Sequence, residues 1–198
     1  MTRTRIDEPG IRKAQILAAA EEALAERGYH NLQLDDIARR AKVAKGTLYL
    51  YFKNKEDLLL GLAEKIALEH DRQETAMKVG GSMERLRHLV LFKIRWLRSH
   101  YDLFAAISLL KPELYGKRAA RAIRESFQRS LRHAADLIQE GVRERKLRPH
   151  DPMAGALYLL SLFRMAELEM AFLPKRRSPE KMRDLILDCF LNGLGVRS

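Results

Sequence analysis

Six basic residues fall between Arg39 and Lys55 (Arg39, Arg40, Lys42, Lys45, Lys53 and Lys55), with no acid among them. Cations at that density suit the phosphates of a polyanion, a contact that weakens steeply as salt rises. Thr47, Tyr49 and Tyr51 are interleaved with them. A solvated face would explain the charges, but not two tyrosines left beside them. Elsewhere the chain has no nucleophile elbow, Gly-rich phosphate loop or clustered acid pair, so no catalytic residue is assigned, and neither an enzyme nor a cofactor is expected. The histidines (His30, His70, His88, His100, His133 and His150) never pair at helical spacing, so no metal ligand set is expected either.

The elements that must position this patch follow from periodicity. Leu34 to Ala41 and Gly46 to Phe52 form two short helices around a tight turn, the helix-turn-helix arrangement. Ile37, Ala38 and Ala41 supply the inward face of the first helix, Val43 plugs the junction, and Leu48 and Phe52 face inward from the second. Lys45, Thr47, Tyr49 and Tyr51 are left outward, where such a helix meets the major groove. An earlier helix, with Ile16, Leu17, Ala20, Ala23 and Leu24 apolar, ends at Gly28. A longer one runs from Lys55 to about Lys78, and its first turn, after Asn54, can offer N–H groups to a phosphate.

This stretch resembles the DNA-binding signature of the TetR family of bacterial regulators. The likeness spans residues 11–60: Gly28-Tyr29, Asp36-Ile37-Ala38, Val43, Lys45-Gly46-Thr47-Leu48-Tyr49, Tyr51-Phe52 and Lys53-Asn54-Lys55-Glu56-Asp57-Leu58. It implies a homodimer on a palindromic operator in double-stranded DNA. Lys45, Gly46, Thr47 and Tyr49 would approach bases and phosphates, and Tyr51 and Lys55 would hold backbone phosphates. Arg39, Lys42 and Lys53 complete the phosphate-facing patch. Two positions depart from the pattern. Lys42 stands where such turns often have Gly, and a positive φ there would be borne by Lys at modest strain. Gln33 stands where the family often has a capping Thr that also touches phosphate, so that contact is not expected. Arg3 and Arg5 fit either a minor-groove arm or a disordered start.

Over the whole 198 residues the formal charge is +11, and 46% of residues are hydrophobic. That is a globular composition with a bias toward nucleic acid first and a membrane surface second. No apolar h-region opens the chain and no run approaches the roughly 20 apolar residues of a membrane span, so no membrane association is expected. A single cysteine, Cys189, fits a reducing cytosol and reads as an inert core thiol; with the DNA-binding resemblance, the expected setting is cytoplasmic and nucleoid-associated. Strand alternation is absent, so the fold class is all-α: a three-helix helix-turn-helix domain over 1–57 and a helical bundle for ligand binding and dimerisation over 58–198, about nine helices in all. Gly80-Gly81-Ser82 and Lys111-Pro112 break the bundle's helices. Ser82, Asp151-Pro152 and Ser178-Pro179 start new ones, and Asn192-Gly193 stops the last. The helix over 117–146 is amphipathic, with Lys117, Arg118, Arg121, Arg124, Arg129 and Arg132 opposite Ile123, Phe127, Leu131, Ala134 and Ile138.

Helix 153–173 is apolar nearly all round, as is the last helix, so both need cover on two sides and a partner chain is implied. Leu159, Leu162, Leu187, Leu191 and Leu194 are the expected dimer seam, in agreement with the place the family gives it. The resemblance also implies a small-molecule effector, of unknown identity, bound within the bundle. Phe92, Trp96, Tyr101, Phe104, Phe127, Leu131, Tyr158, Phe163, Met165 and Glu167 are candidate lining residues, although each also suits ordinary core, and Glu167 also suits an ion pair with Arg164. The expected function is a ligand-released repressor. The alternative is an architectural or occlusion-type DNA binder without a ligand, motivated by the basic stripe over 117–146.

Overall fold

The computed structural model describes residues 9–76, 80–110 and 117–192. Those residues form ten helical segments and no strand: α1 (Pro9–Arg27), α2 (Leu34–Arg40), α3 (Lys45–Tyr51), α4 (Lys55–Ala76), α5 (Ser82–Ser99), α6 (Tyr101–Ser108), α7 (Lys117–Arg143), α8 (Pro152–Leu162), α9 (Arg164–Phe172) and α10 (Pro179–Asn192). The all-α expectation holds. Segments α8 and α9 are the two halves of the helix expected over 153–173, divided at Phe163 by tighter turns in which Phe163 N–H meets the Leu160 carbonyl and Ala166 N–H the Phe163 carbonyl. Among the described residues no helix is long and apolar enough to cross a membrane. Arg3, Arg5, Gly193, Leu194, the Lys111-Pro112 break and the side chains of Lys117 and Arg118 lie outside what is described.

Packing divides the chain into two compact units. The first takes the chain up to Leu68 and again from His100 to Ile123, and the second takes Glu69–Ser99 and the chain from Arg124. The boundary expected after residue 57 falls inside α4, which packing divides later. In the first unit, α1 buries Ile16, Leu17, Ala20, Ala23 and Leu24 at three- and four-residue spacing, and stops where Gly28 turns to φ 69. Helices α2 and α6 pack on it. Leu58, Leu59, Leu62, Ala63 and Ile66 give α4 its buried face here. Gly61 permits one close approach: a Cβ there would stand 2.6 Å from the Phe52 ring. That ring, almost wholly buried, fastens the end of α3 to α4.

The second unit has one apolar core, built from Leu86, Leu89, Val90 and Ile94 of α5, Ala134, Leu137 and Ile138 of α7, Ala156 and Leu159 of α8, Phe163, Ala166 of α9 and Met182, Ile186 and Leu187 of α10. Asp151 caps α8 through the Met153 N–H at 2.9 Å, and Ser178 Oγ accepts from Lys181 N–H at the head of α10. Ser82 is no such cap: its hydroxyl, wholly buried, donates to Glu144 at 2.8 Å. Ala134 and Ile138 of α7 are buried as expected, but in the helix's first half the inward face is turned by one residue. Phe127 is 52% exposed while Ser126 and Ser130 are buried, because small hydroxyls are what a polar cluster beneath α7 accepts.

Candidate nucleic-acid interface

Helices α2 and α3 pack as the spacing requires. Ile37 and Leu48 are fully buried, with Ala38, Ala41 and Phe52 nearly so and Val43 half-buried between them. The turn closes with Val43 N–H on the Ala38 carbonyl at 3.0 Å. Lys42 has φ 54, the left-handed conformation its place in the turn suggested. Gln33 precedes α2 without a side-chain cap bond. After α3, Asn54 Oδ1 accepts from Asp57 N–H at 2.8 Å, and Asp57 Oδ2 accepts from Lys53 N–H at 3.0 Å, so α4 starts from a reciprocal cap.

With Leu48 held inward, the rest of α3 turns out. Lys45, Gly46 and Tyr49 are exposed, and Thr47 and Tyr51 are half-buried. Leu50, which the motif reading passed over, is 84% exposed. Arg39, Lys42 and Lys53 are exposed around the same two helices.

Acids just outside the acid-free window hold part of the basic patch. Lys45 Nζ pairs with Asp35 at 2.8 Å, both well exposed, and that bond raises the lysine's affinity for its proton. Asp36 is nearly buried and receives Arg39, Arg40 Nε at 2.9 Å and Arg27 at 3.1 Å. The Arg39 bond, more than the cost of desolvation, holds its carboxyl below the usual range. Arg40 also reaches Glu26 at 2.7 Å, which makes it a brace between α1 and α2. Lys55 Nζ lies 4.2 Å from the Tyr29 ring centroid and donates to the His30 carbonyl at 3.4 Å, while the Tyr29 hydroxyl donates to Glu56 at 3.3 Å. Partial burial lowers the pKa of this lysine.

Of the ten candidate ligand residues, Tyr101 and Phe104 belong to the first unit and the other eight to the second. Phe163 is buried core, Phe127 and Tyr158 are about half exposed, Leu131 and Met165 are half-buried, and Glu167 pairs with Arg164. Phe92 and Trp96 stack near His70, with ring centroids 5.2 and 5.4 Å from it. Around that imidazole lies a polar cluster that the sequence reading did not find. Lys93 Nζ donates to Glu74 at 3.0 Å and to Ser130, and lies 3.3 Å from His70 Nε2. His133 Nδ1 meets Glu74 at 3.0 Å, and Asp71 takes Ser126 Oγ at 2.7 Å and Arg129 Nε at 2.8 Å. Desolvation, helped by Lys93, pushes His70 down to about 4. Burial pushes Glu74 up, but His133 and Lys93 outweigh it and bring the carboxyl to about 2. Among the described residues no group of His, Cys, Asp and Glu is placed to hold a metal.

Two of the expected dimer residues need correction. Leu159 is fully buried and Leu187 is 5% exposed, both inside the protomer's own core. A helix apolar all round fills its own bundle with one face, and those residues are on that face. Leu162 and Leu191 are half-buried. The apolar side chains left open on α8 and α9 are Met153, Leu157, Tyr158, Leu168 and Phe172.

A family model described as "Bacterial regulatory proteins, tetR family" matches residues 16–62. The chain is 44% identical over 92 residues to the fatty acid metabolism regulator protein of Bacillus subtilis (strain 168), a match that spans 46% of this chain and only 44% of that protein. It is 30% identical over 154 residues to the HTH-type transcriptional regulator YhgD of the same organism, covering 77% of this chain and 80% of that protein. Among solved structures, FadR from Bacillus subtilis in complex with stearoyl-CoA superposes with a TM-score of 0.69 at 24% identity, over 92% of this chain and 99% of that one.

Proposed function

This chain belongs to the tetR family of DNA-binding bacterial transcriptional regulators, and we propose that it is a repressor that binds a palindromic operator as a homodimer and is released by a small molecule. The observation that carries the reading is the division of α3. Leu48 and Phe52 are locked inward, while Lys45, Gly46, Thr47, Tyr49 and Tyr51 are presented outward within a basic rim. A dimer setting two such helices on one face of the duplex needs them about 34–36 Å apart, or a whole-turn multiple. The open apolar side chains of α8 and α9 suit the partner protomer, since faces of that kind on a regulator of this size are usually covered. Cytoplasmic residence at the nucleoid follows from the same reading.

The second unit is the proposed sensor, and α4 is the proposed route between sensing and binding. One end of that helix carries Lys55 at the DNA-facing patch, the other His70 and Glu74 in the polar cluster. Long-chain acyl-CoA is the first effector to test, since one relative is named for fatty acid metabolism and one similar structure holds stearoyl-CoA. Coupling of the usual size, about 1–3 kcal/mol, would weaken operator binding roughly five- to 150-fold. The occlusion alternative rests on the basic stripe of α7, and Arg129 of that stripe is held by Asp71.

Selection of bound sequences from a random DNA pool at near-physiological salt tests the central claim. An enriched inverted repeat supports it. Salt-sensitive binding without enrichment would refute sequence reading and leave the occlusion alternative. Titrating acyl-CoA against the selected operator then tests the effector, and unchanged affinity at saturation with a panel of small molecules would remove the sensing half.

A further inference from the structure

Leu50 is the most exposed large apolar side chain among the described residues. Its position on α3 is specific. At about 100° per residue, Leu50 and Gly46 each stand about 160° from buried Leu48, so the two, four residues apart, form the crest of the helix. Lys45 and Tyr49 lie down one flank, Thr47 and Tyr51 down the other. The crest is therefore apolar between two polar flanks, and Arg39, Lys42 and Lys53 surround it.

The fold has no use for a leucine there, since no described side chain covers it. A lone exposed leucine needs no explanation elsewhere on a surface, but this one occupies the centre of the face that docks on DNA. The basic rim meets phosphates, which carry no sequence information directly. Gly46 leaves the adjoining crest without a side chain, so the backbone can approach closely and bring Leu50 against the base edges. In the major groove the bases present one apolar group, the C5-methyl of thymine.

We propose that Leu50 is a specificity-determining residue that packs on a thymine C5-methyl in each operator half-site. The inference rests on the reading of α3 as the helix that enters the groove. The flanking hydroxyls and ammonium group supply polar contacts, and Leu50 adds a requirement for thymine under the crest.

The test uses the full-length protein and the operator recovered by selection. Each thymine is replaced singly by deoxyuracil, which removes the methyl and leaves base pairing intact, and affinity is measured for wild type and Leu50→Ala. At one or two thymines per half-site, wild type should lose affinity roughly fourfold, the worth of one buried methyl. Leu50→Ala should show no further loss at those positions while keeping the wild-type melting temperature, because residue 50 is outside the core. Selection repeated with Leu50→Ala should relax the preference for thymine there and nowhere else. Insensitivity of wild type to every replacement, or equal sensitivity in Leu50→Ala, overturns the proposal and leaves the regulator reading standing. Failure to select any inverted repeat overturns that reading and the proposal with it.

Discussion

Gly46→Ala should make the protein more stable and a poorer DNA binder, two effects of opposite sign from one methyl group. Gly46 is a residue of α3 without positive φ, and a Cβ built there meets nothing within 4 Å. No steric reason inside the protomer requires glycine. Alanine relieves its entropic disadvantage in a helix, about 0.5–1 kcal/mol at this first-turn position. For a chain of this length that is about 1–4 °C in Tm. Against DNA the same methyl stands on the crest of α3, where it pushes the backbone away from the groove. Loss of one specific contact is worth about 1–3 kcal/mol, or roughly five- to 150-fold in Kd. Thermal melting and fluorescence anisotropy with a labelled operator read the two effects separately. A raised Tm with unchanged Kd would show that the crest does not meet DNA. A lowered Tm would show that the account of the local backbone is wrong.

Three further outcomes are expected. Lys42→Gly exchanges left-handed strain, worth on the order of 1 kcal/mol, for a comparable loss of chain entropy, so Tm should move little. The slope of log affinity against log salt should become shallower by about 0.9 per protomer if Lys42 holds a phosphate, and an unchanged slope removes it from the interface. Asp35→Asn frees Lys45 for phosphate and should tighten operator binding about two- to fivefold at low salt; unchanged or weaker binding would show that the pair does not compete with DNA. For His70, the unfolded chain takes up a proton near pH 6.5 whereas the folded chain does so only near 4. Stability therefore falls on acidification across that window, by about 3 kcal/mol at its end, and Glu74 adds a loss between pH 4.5 and 2. Denaturation measured from pH 7 to 4 should show the first slope in wild type and a flatter one in His70→Gln; parallel curves would mean that His70 titrates normally.

The helix-turn-helix was legible because its evidence is local. Ile37, Ala38, Leu48 and Phe52 announce their faces by spacing alone, and Lys42 announces its turn by its place in the motif. Pairing was only partly legible. Asp36 pairs with Arg39 and Arg40 at three- and four-residue spacing on α2. That signal lay just outside the acid-free window from Arg39 to Lys55 and was passed over, whereas Asp35 reaches Lys45 across the turn, which spacing does not announce. The cluster of His70, Glu74, Lys93, Ser130 and His133 draws on α4, α5 and α7, and none of its members is unusual on its own helix. Leu159 and Leu187 were misplaced for a related reason: a helix apolar on every side does not reveal which side its own bundle takes. Leu50 was hidden by its neighbours, an apolar residue between two tyrosines in a stretch read for its polar groups.

Gly61 lies against the Phe52 ring, where a Cβ would stand 2.6 Å away, so the end of α3 and the second turn of α4 share one packed surface. A helix of seven residues standing alone would fray at once. In hydrogen exchange, the amides at the end of α3 should instead be protected as long as those of α4 around Gly61, the two opening together as one local unit.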